Sequence, residues 1–467
     1  MNYLKYIITT WLVLLLSITT ANAQTIAAGG WHSLAICNDS TVKTFGENAT
    51  GQLGDASDID REIPVSAIGL SGIVSVSGGG DQLEAHSLAL KSDGTVWSWG
   101  SNIYGGLGNG NTINTNVPGQ VLLLNNVTQI SAGGWHSSAL KSDGTVWTWG
   151  WNTDGQLGDG TFIDRIVPNQ VGGLSDIIEI SAGTYHMLAL KSDGTVWAWG
   201  DNISGQIGDG TTVDKNMPVQ VSGLTNVAHI SAGRFFSLAI KNDGTVWTWG
   251  ENKYGQLGIG NKVDSSVPVQ VPGITASLPA IVATGDFHCL ILKTDGTVGS
   301  WGRNTYGNLG DESVEHRLLP VEVLGITNAT ALAAGTNFSL FVKEDGTFWG
   351  CGRNASGQLG DGTLLQRNTI VQSTALCPIM LPVGISSENL SKSIEVSIYP
   401  NPTKGIVYAD INENAKVEIT NLQGQIVKME TLNNTTNSID LNGLNSGVYL
   451  VKVITNEKFV VKKLIIR

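Results

Sequence analysis

The chain has 467 residues, 59 of them glycine, and only 14% of its residues are charged. A hydrophobic content of 41% excludes a disordered chain, and the irregular spacing of the glycines excludes collagen. The formal net charge of −12 argues against attraction to nucleic acid or to an anionic membrane.

Residues 1–23 read as a cleavable export signal. Lys5 gives the positive start, residues 7–16 are apolar apart from Thr9 and Thr10, and Ala21-Asn22-Ala23 supplies a small-x-small cleavage site. The apolar run is shorter than the ~20 residues of a membrane span, and no later segment is better suited. The mature chain is therefore expected to have no transmembrane segment. Export would place Cys37, Cys289, Cys351 and Cys377 where disulfides persist. None has CxxC spacing, so zinc and thioredoxin-like readings are weak.

A period of about fifty residues then sets in. The register is marked by Phe45, Trp99, Trp149, Trp199, Trp249, Trp301 and, in the seventh copy, Cys351. Four extra residues within GGGDQLEAH, before His86 and inside the span 81–85, and two between 270 and 288 account for the longer steps. A period of this size means a solenoid, a propeller or an array. Within the third copy, residues 127–131, 136–141, 145–149 and 167–171 read as short strands separated by turn residues. Asp143-Gly144 marks a hairpin. Trp147 and Trp149 are two apart and so leave the same face of their strand. Four antiparallel strands repeated seven times predict an all-β, seven-bladed β-propeller over residues 24–377. Asn48, Asn102, Asn152, Asn202, Asn252, Asn304 and Asn354 recur in every copy, as expected of a residue that tolerates positive φ and bonds its own turn.

The segments ISAGGWHSSAL, DGTVWTWG and NTDGQLGDGT resemble the repeat of the regulator of chromosome condensation family. The resemblance implies a seven-bladed propeller. Its repeat histidine carries over to His32, His86, His136, His186 and His288. Phe236 and Phe338 take that place in copies five and seven, which favours a packing role over a catalytic one. Residues 378–391 break the repeat and read as a linker. The remainder, 392–467, alternates in the manner of a small β-sandwich-like domain. Its YPNP, NLQGQIV, LNGLNSGVYLVKV and KKLIIR motifs resemble the type A C-terminal sorting domain of the type IX secretion system. That resemblance implies contact with the secretion machinery and a secreted or cell-surface protein of a Gram-negative bacterium. Charge separates the modules: residues 392–467 carry nine basic and seven acidic side chains, whereas residues 24–391 carry 17 and 32. A nucleic-acid partner is not expected.

No nucleophile elbow, zinc-protease motif or phosphate loop occurs. The Asp-Gly pairs lack the alternating oxygens of a calcium loop, and residues 55–60 (DASDID) read as a solvated loop. No catalytic residue, metal or cofactor is expected. The favoured function is a non-catalytic binding scaffold for an unknown extracellular protein or glycan. The alternative is a secreted lyase or hydrolase acting on polysaccharide. A nucleotide-exchange or photoreceptor role fits less well, because export separates the chain from GTPases and the photoreceptor's Gly-Trp-Arg-His pattern is absent.

Two positions vary between copies while their surroundings do not: the residues before the repeat histidine and the residue before the repeat Asn. They nominate Trp31, Trp135, Trp151, Tyr185, Arg234, Phe235 and Phe287 as binding residues, since aromatics and Arg dominate hot spots. The competing reading packs these aromatics under neighbouring loops. Ring closure is expected from the last strand, near residues 369–373, joining the first blade. That would bring Cys377 towards Cys37 for a disulfide.

Overall fold

The structure, a computed structural model, describes residues 25–374 except 82 and 83, together with Cys377 and the tail strands and adjoining residues between 397 and 466. The expected leader and linker lie outside the described residues. The chain divides into two compact units with a boundary between Ile385 and Ser386.

The first unit holds seven four-stranded antiparallel sheets, each built from four consecutive strands. The third blade is representative: Val127–Ala132, His136–Lys141, Val146–Gly150 and Arg165–Gln170 run from inner to outer position. Its central hairpin pairs His136 with Gly150 and Ser137 with Trp149. The Asp-Gly turn closes this hairpin for two reasons. Gly144 supplies a φ of 78°, and the Asp143 carboxylate accepts from both the N–H and the hydroxyl of Thr145 at 3.0 and 2.6 Å. The outer strand is an edge, and Pro64, Pro118, Pro168, Pro218, Pro268 and Pro320 lie in the outer strands of six blades. A residue without an N–H blunts such an edge against pairing with another chain.

The two tryptophans of the repeat differ in role. Trp149 is fully buried, whereas Trp147 is half-buried with the Lys141 ammonium over its ring. The buried member is the latch between blades. Its indole N–H donates to a carbonyl in the preceding blade's loop: Trp99 to Gln52, Trp149 to Gly106, Trp199 to Gln156, Trp249 to Gln206 and Trp301 to Gln256, at 2.8–3.0 Å. In blade seven Cys351 points its thiol at the Asn308 carbonyl instead. Gly54 has to be glycine here, because its φ is +68° and a Cβ would lie 2.8 Å from the Trp99 indole nitrogen.

The repeat Asn organises this loop without positive φ; the left-handed residues are its glycines, with Ala56 in blade one and Glu312 in blade six. Asn48 Oδ1 accepts from the Leu53 N–H at 2.9 Å, and its amide donates to the carbonyls of Ser57 and Ile59. The DASDID loop is solvated, as expected, with Ala56, Asp58, Ile59 and Asp60 exposed, and is also held by side-chain bonds: Asp55 pairs with Arg61 at 2.6 Å, and Asp60 accepts from the Asn48 N–H.

The repeat histidines lie between blades. His32, His86, His186 and His288 each share a hydrogen bond of 2.8–2.9 Å with a serine of the next blade, Ser87, Ser137, Ser237 and Ser339. Blade four has Met187 where that serine would be, so both ring nitrogens of His136 are buried without a partner. Replacing His136 by Phe, the residue used in blades five and seven, should therefore raise stability by about 1 kcal/mol, because it removes uncompensated polar burial. His186→Phe, which breaks a made bond, should lower it. Urea melts of the two variants check this, and a destabilised His136→Phe would overturn it.

Ring closure differs from the expectation. The last strand, Arg367–Gln372, pairs with Phe348–Gly352 of its own blade and not with the first blade. Strand Ile26–Ala28 already completes the first sheet, so no strand has to be borrowed. The first and last blades meet as the others do. Phe45 packs edge-on against Phe348 at 5.6 Å, and Ser33 donates to the Gln358 carbonyl at 2.7 Å. A disulfide joins Cys37 to Cys377 with Cα atoms 5.7 Å apart, inside the ~7 Å reach of such a bond. Cys289 and Cys351 are buried free thiols.

The second unit stacks a three-stranded sheet, with Ile406–Asp410 at its centre, and a four-stranded sheet ordered Ile426–Leu432, Ala415–Thr420, Gly447–Ile454 and Phe459–Ile466. Val407, Val417, Ile419, Ile439, Val451 and Val453 fill the core of this small sandwich.

Candidate binding face

The loop after each inner strand and the long loop before each outer strand end on the same face. A backbone bond ties them together in every blade. The residue before the repeat Asn donates its N–H to the carbonyl of the residue before the repeat His or Phe: Glu47 to Trp31, Ser101 to Ala85, Trp151 to Trp135, Asp201 to Tyr185, Glu251 to Phe235, Arg303 to Phe287 and Arg353 to Asn337, at 2.8–3.1 Å. The two variable positions are thus neighbours on one surface.

Their side chains form an arc of rings. Trp135 and Trp151 meet edge to face at 5.1 Å, both touch Tyr185, and Tyr185 stacks on Phe235 at 4.9 Å and 13°. Three tyrosines missed by sequence reasoning extend the arc. Tyr104 packs on Trp135 and Trp151, Tyr254 packs on Phe287, and Tyr306 lies near Arg353. Each stands two residues after a repeat Asn, a recurrence that could have exposed them. All seven nominated residues are half-buried. Trp31 is set apart, with the Arg353 guanidinium 3.9 Å over its ring.

Arg234 lies on the propeller axis. Its guanidinium bonds Asp81 at 2.9 Å, Asp286 at 3.3 Å and the Tyr185 hydroxyl at 3.2 Å, joining blades two, four, five and six. The same group lies over Tyr185, Phe235 and Phe287. Asp81 reaches the axis because the extra residues of copy two lengthen its hairpin, where Asp81 pairs with Glu84. Burial pushes the Tyr185 phenol up to about 12, despite the nearby Arg234. Below the brace is a channel walled by glycine backbone. A Cβ on Gly133 would meet the Gly183 carbonyl at 2.6 Å and the His136 ring at 2.3 Å, so this ring of close strands admits only glycine.

The opposite mouth of the channel is a cavity of about 160 Å³ lined in part by Gln129, Glu179 and His229. These side chains tie blades together. Gln129 exchanges two bonds with Ile180 of the next inner strand, and Glu179 accepts from His229 at 2.7 Å. Among the described residues, no group of three or more His, Cys, Asp or Glu is placed to hold a metal. Asp159-Gly160, Asp209-Gly210 and Asp361-Gly362 are turns whose carboxylates have basic partners, as Asp159 has Arg165 at 2.7 Å.

Carboxylates on the binding face are unevenly matched. Burial, with Asp60 beside it, lifts Glu47 to about 7 while Arg353 opposes the shift. Burial and the neighbouring Asp201 and Asp214 lift Asp154 to about 6, with no cation opposing them.

Comparison with known proteins agrees with this architecture. Residues 84–383 match the RCC1-like domain, residues 24–52 match the regulator of chromosome condensation (RCC1) repeat, and residues 397–467 match the secretion system C-terminal sorting domain. Human E3 ubiquitin-protein ligase HERC2 is 36% identical over 93 residues, 20% of this chain and 2% of the ligase. The ultraviolet-B receptor UVR8 of Arabidopsis thaliana is 36% identical over 112 residues, 23% of this chain and 25% of the receptor. The chain thus spans only a small part of these curated relatives. Among solved structures, human WBSCR16 is similar at 27% identity and a TM-score of 0.60, covering 66% of this chain and 83% of that one. Prp20p of Saccharomyces cerevisiae shares the fold at 23% identity and a TM-score of 0.62, covering 76% and 87%. The chain belongs to the family of RCC1-like domains, as a seven-bladed propeller of regulator of chromosome condensation repeats followed by a type IX C-terminal sorting domain that marks it for secretion or the cell surface.

Proposed function

We propose that the propeller is a secreted, non-catalytic binding scaffold whose aromatic face holds an extracellular protein or glycan. The observation that carries this reading is the arc of half-buried rings from Tyr104 through Trp135, Trp151 and Tyr185 to Phe235. Large rings with part of their surface free supply much contact area at low entropic cost. The framework beneath them is fixed by buried Asn, Trp and His bonds, so side chains can change without loss of fold. The repeat histidines support a non-catalytic role, because they are buried between blades and out of reach of a substrate. The export signal, the tail and the disulfide fit work outside the cell.

The test is capture by the immobilised chain of extracellular proteins and of arrayed glycans. Trp151→Ala should reduce capture at least tenfold while moving the melting temperature by under 3 °C, since Trp151 carries little of the core. Lost stability with unchanged capture would assign Trp151 to the scaffold.

A further inference from the structure

Around the binding face, aromatic groups come with cations of the chain itself. Arg234 covers Tyr185, Phe235 and Phe287; Arg303 covers Tyr254 and Phe287; Arg353 covers Trp31. One acid in each of five loops is matched too. Asp55, Asp159, Asp209, Asp311 and Asp361 each hold an Arg or Lys of their own loop, at 2.6–3.0 Å. Asp60, Asp164 and Asp264 have no ion pair among the described residues, but one sector combines unpaired acids with rings that no cation covers. Among the described residues, no basic side chain lies over Tyr104, Trp135 or Trp151, and none pairs with Asp154, Asp201 or Asp214.

These two unmatched sets are adjacent. Asp154 follows Trp151 in the same loop, and Asp201 is bonded through its N–H to the Tyr185 carbonyl, beside the Trp151 ring. Asp154 and Asp201 are half-buried like charges, and Asp214 accepts from the Asn202 N–H. Each carboxylate raises the cost of charging its neighbour. An independent observation lies beneath them. Gln156 is fully buried and its Nε2 has no acceptor, as is also true of Gln206 and of Gln358 in blade seven. The equivalent amides of Gln52 and Gln256 donate to Glu47 and Glu251, at the position that Trp151 fills in blade three. This sector therefore lacks both a cation and an acceptor.

We propose that blades three and four form a docking site for a basic polypeptide segment, whose Lys or Arg side chain enters between the Trp151–Tyr185 rings and the Asp154–Asp201 carboxylates. The inference rests on the binding-face reading and names its partner. A cation there relieves the repulsion between the carboxylates and is attracted to the ring faces. The excess of 32 acidic over 17 basic side chains in residues 24–391 steers such a partner inwards. A backbone carbonyl of the segment is the acceptor that Gln156 lacks.

The test is titration calorimetry of the full chain with an acetylated decapeptide of alternating Lys and Gly, at 50 and 300 mM NaCl. Binding should weaken with salt. The pair Asp154→Asn with Asp201→Asn should weaken it at least tenfold, and Trp151→Ala at least fivefold. Glu62→Gln with Glu315→Gln, which removes two exposed carboxylates elsewhere, should change it less than twofold; melting curves report folding for all variants. Equal losses from the two carboxylate pairs, or no binding by the unaltered chain, would overturn the proposal. Binding of a neutral glucan hexasaccharide that needs Trp151 but not Asp154 and Asp201 would overturn the cationic partner and leave the binding face standing.

Discussion

Replacing Cys377 by Ser, or reducing the Cys37–Cys377 bond, should lower the melting temperature of the propeller by about 8 °C. The two cysteines are 340 residues apart, so the bond removes a very large loop from the unfolded ensemble. Chain-entropy arguments give about 6 kcal/mol for a loop of that size, at the upper end for disulfides. No strand crosses the border between first and last blades, so packing and a few hydrogen bonds alone would then hold it. Calorimetry with and without reductant measures the effect. A shift under 3 °C would show that blade packing suffices to keep the ring shut.

Acid should unfold the propeller steeply. Burial holds His32, His136, His186 and His288 at about 3 and His86 at about 4, against an ordinary value of 6.5. The unfolded chain therefore takes up protons first as the pH falls below 6.5, up to five more than the native state, and stability declines until the folded values are reached. At about 1.4 kcal/mol per unit, each site loses about 3 kcal/mol by pH 4. Five such sites match or exceed the ~5–15 kcal/mol that holds a typical domain folded. Glu47, Glu84, Asp154, Asp201, Glu251, Asp286 and His229 act in the opposite direction, because their raised values let the native state bind protons first. Most of these shifts are small beside those of the five buried imidazoles and offset only part of them. Circular dichroism between pH 7 and 3 should place the midpoint between 5 and 4, and an unchanged melting temperature at pH 4 would overturn the assignment.

Most of the scaffold was legible because each feature recurs at a fixed offset. The Asp-Gly hairpin, the Asn hub and the aromatic latch are local bonds, or bonds repeated once per blade. What escaped depends on pairings between copies. The His–Ser bonds link residues 51 or 55 apart, one repeat length, so the serine is visible only when each histidine is read against the next copy. The same comparison exposes Met187 as the residue that leaves His136 unpartnered. The axial brace was hidden for a different reason: Asp81 and Arg234 are 153 residues apart and occur once each. The four-residue insertion was visible, but not that it would carry a carboxylate to the axis. The last strand was misplaced because the three-residue strand at Ile26–Ala28 is too short to show that the first sheet was already complete.

The unbroken four-strand blades and the single disulfide have a joint consequence for survival outside the cell. At six borders the polypeptide itself runs from one blade to the next, and at the seventh the sulfur bridge takes its place. Between Cys37 and Cys377 the molecule is covalently a macrocycle. One cut by a protease in any exposed loop of that span turns the circle into a line without releasing a piece, and the blades on either side stay tethered through the bridge. Shedding a fragment takes two cuts, or one cut and a reductant, so resistance to extracellular proteolysis is built into the connectivity.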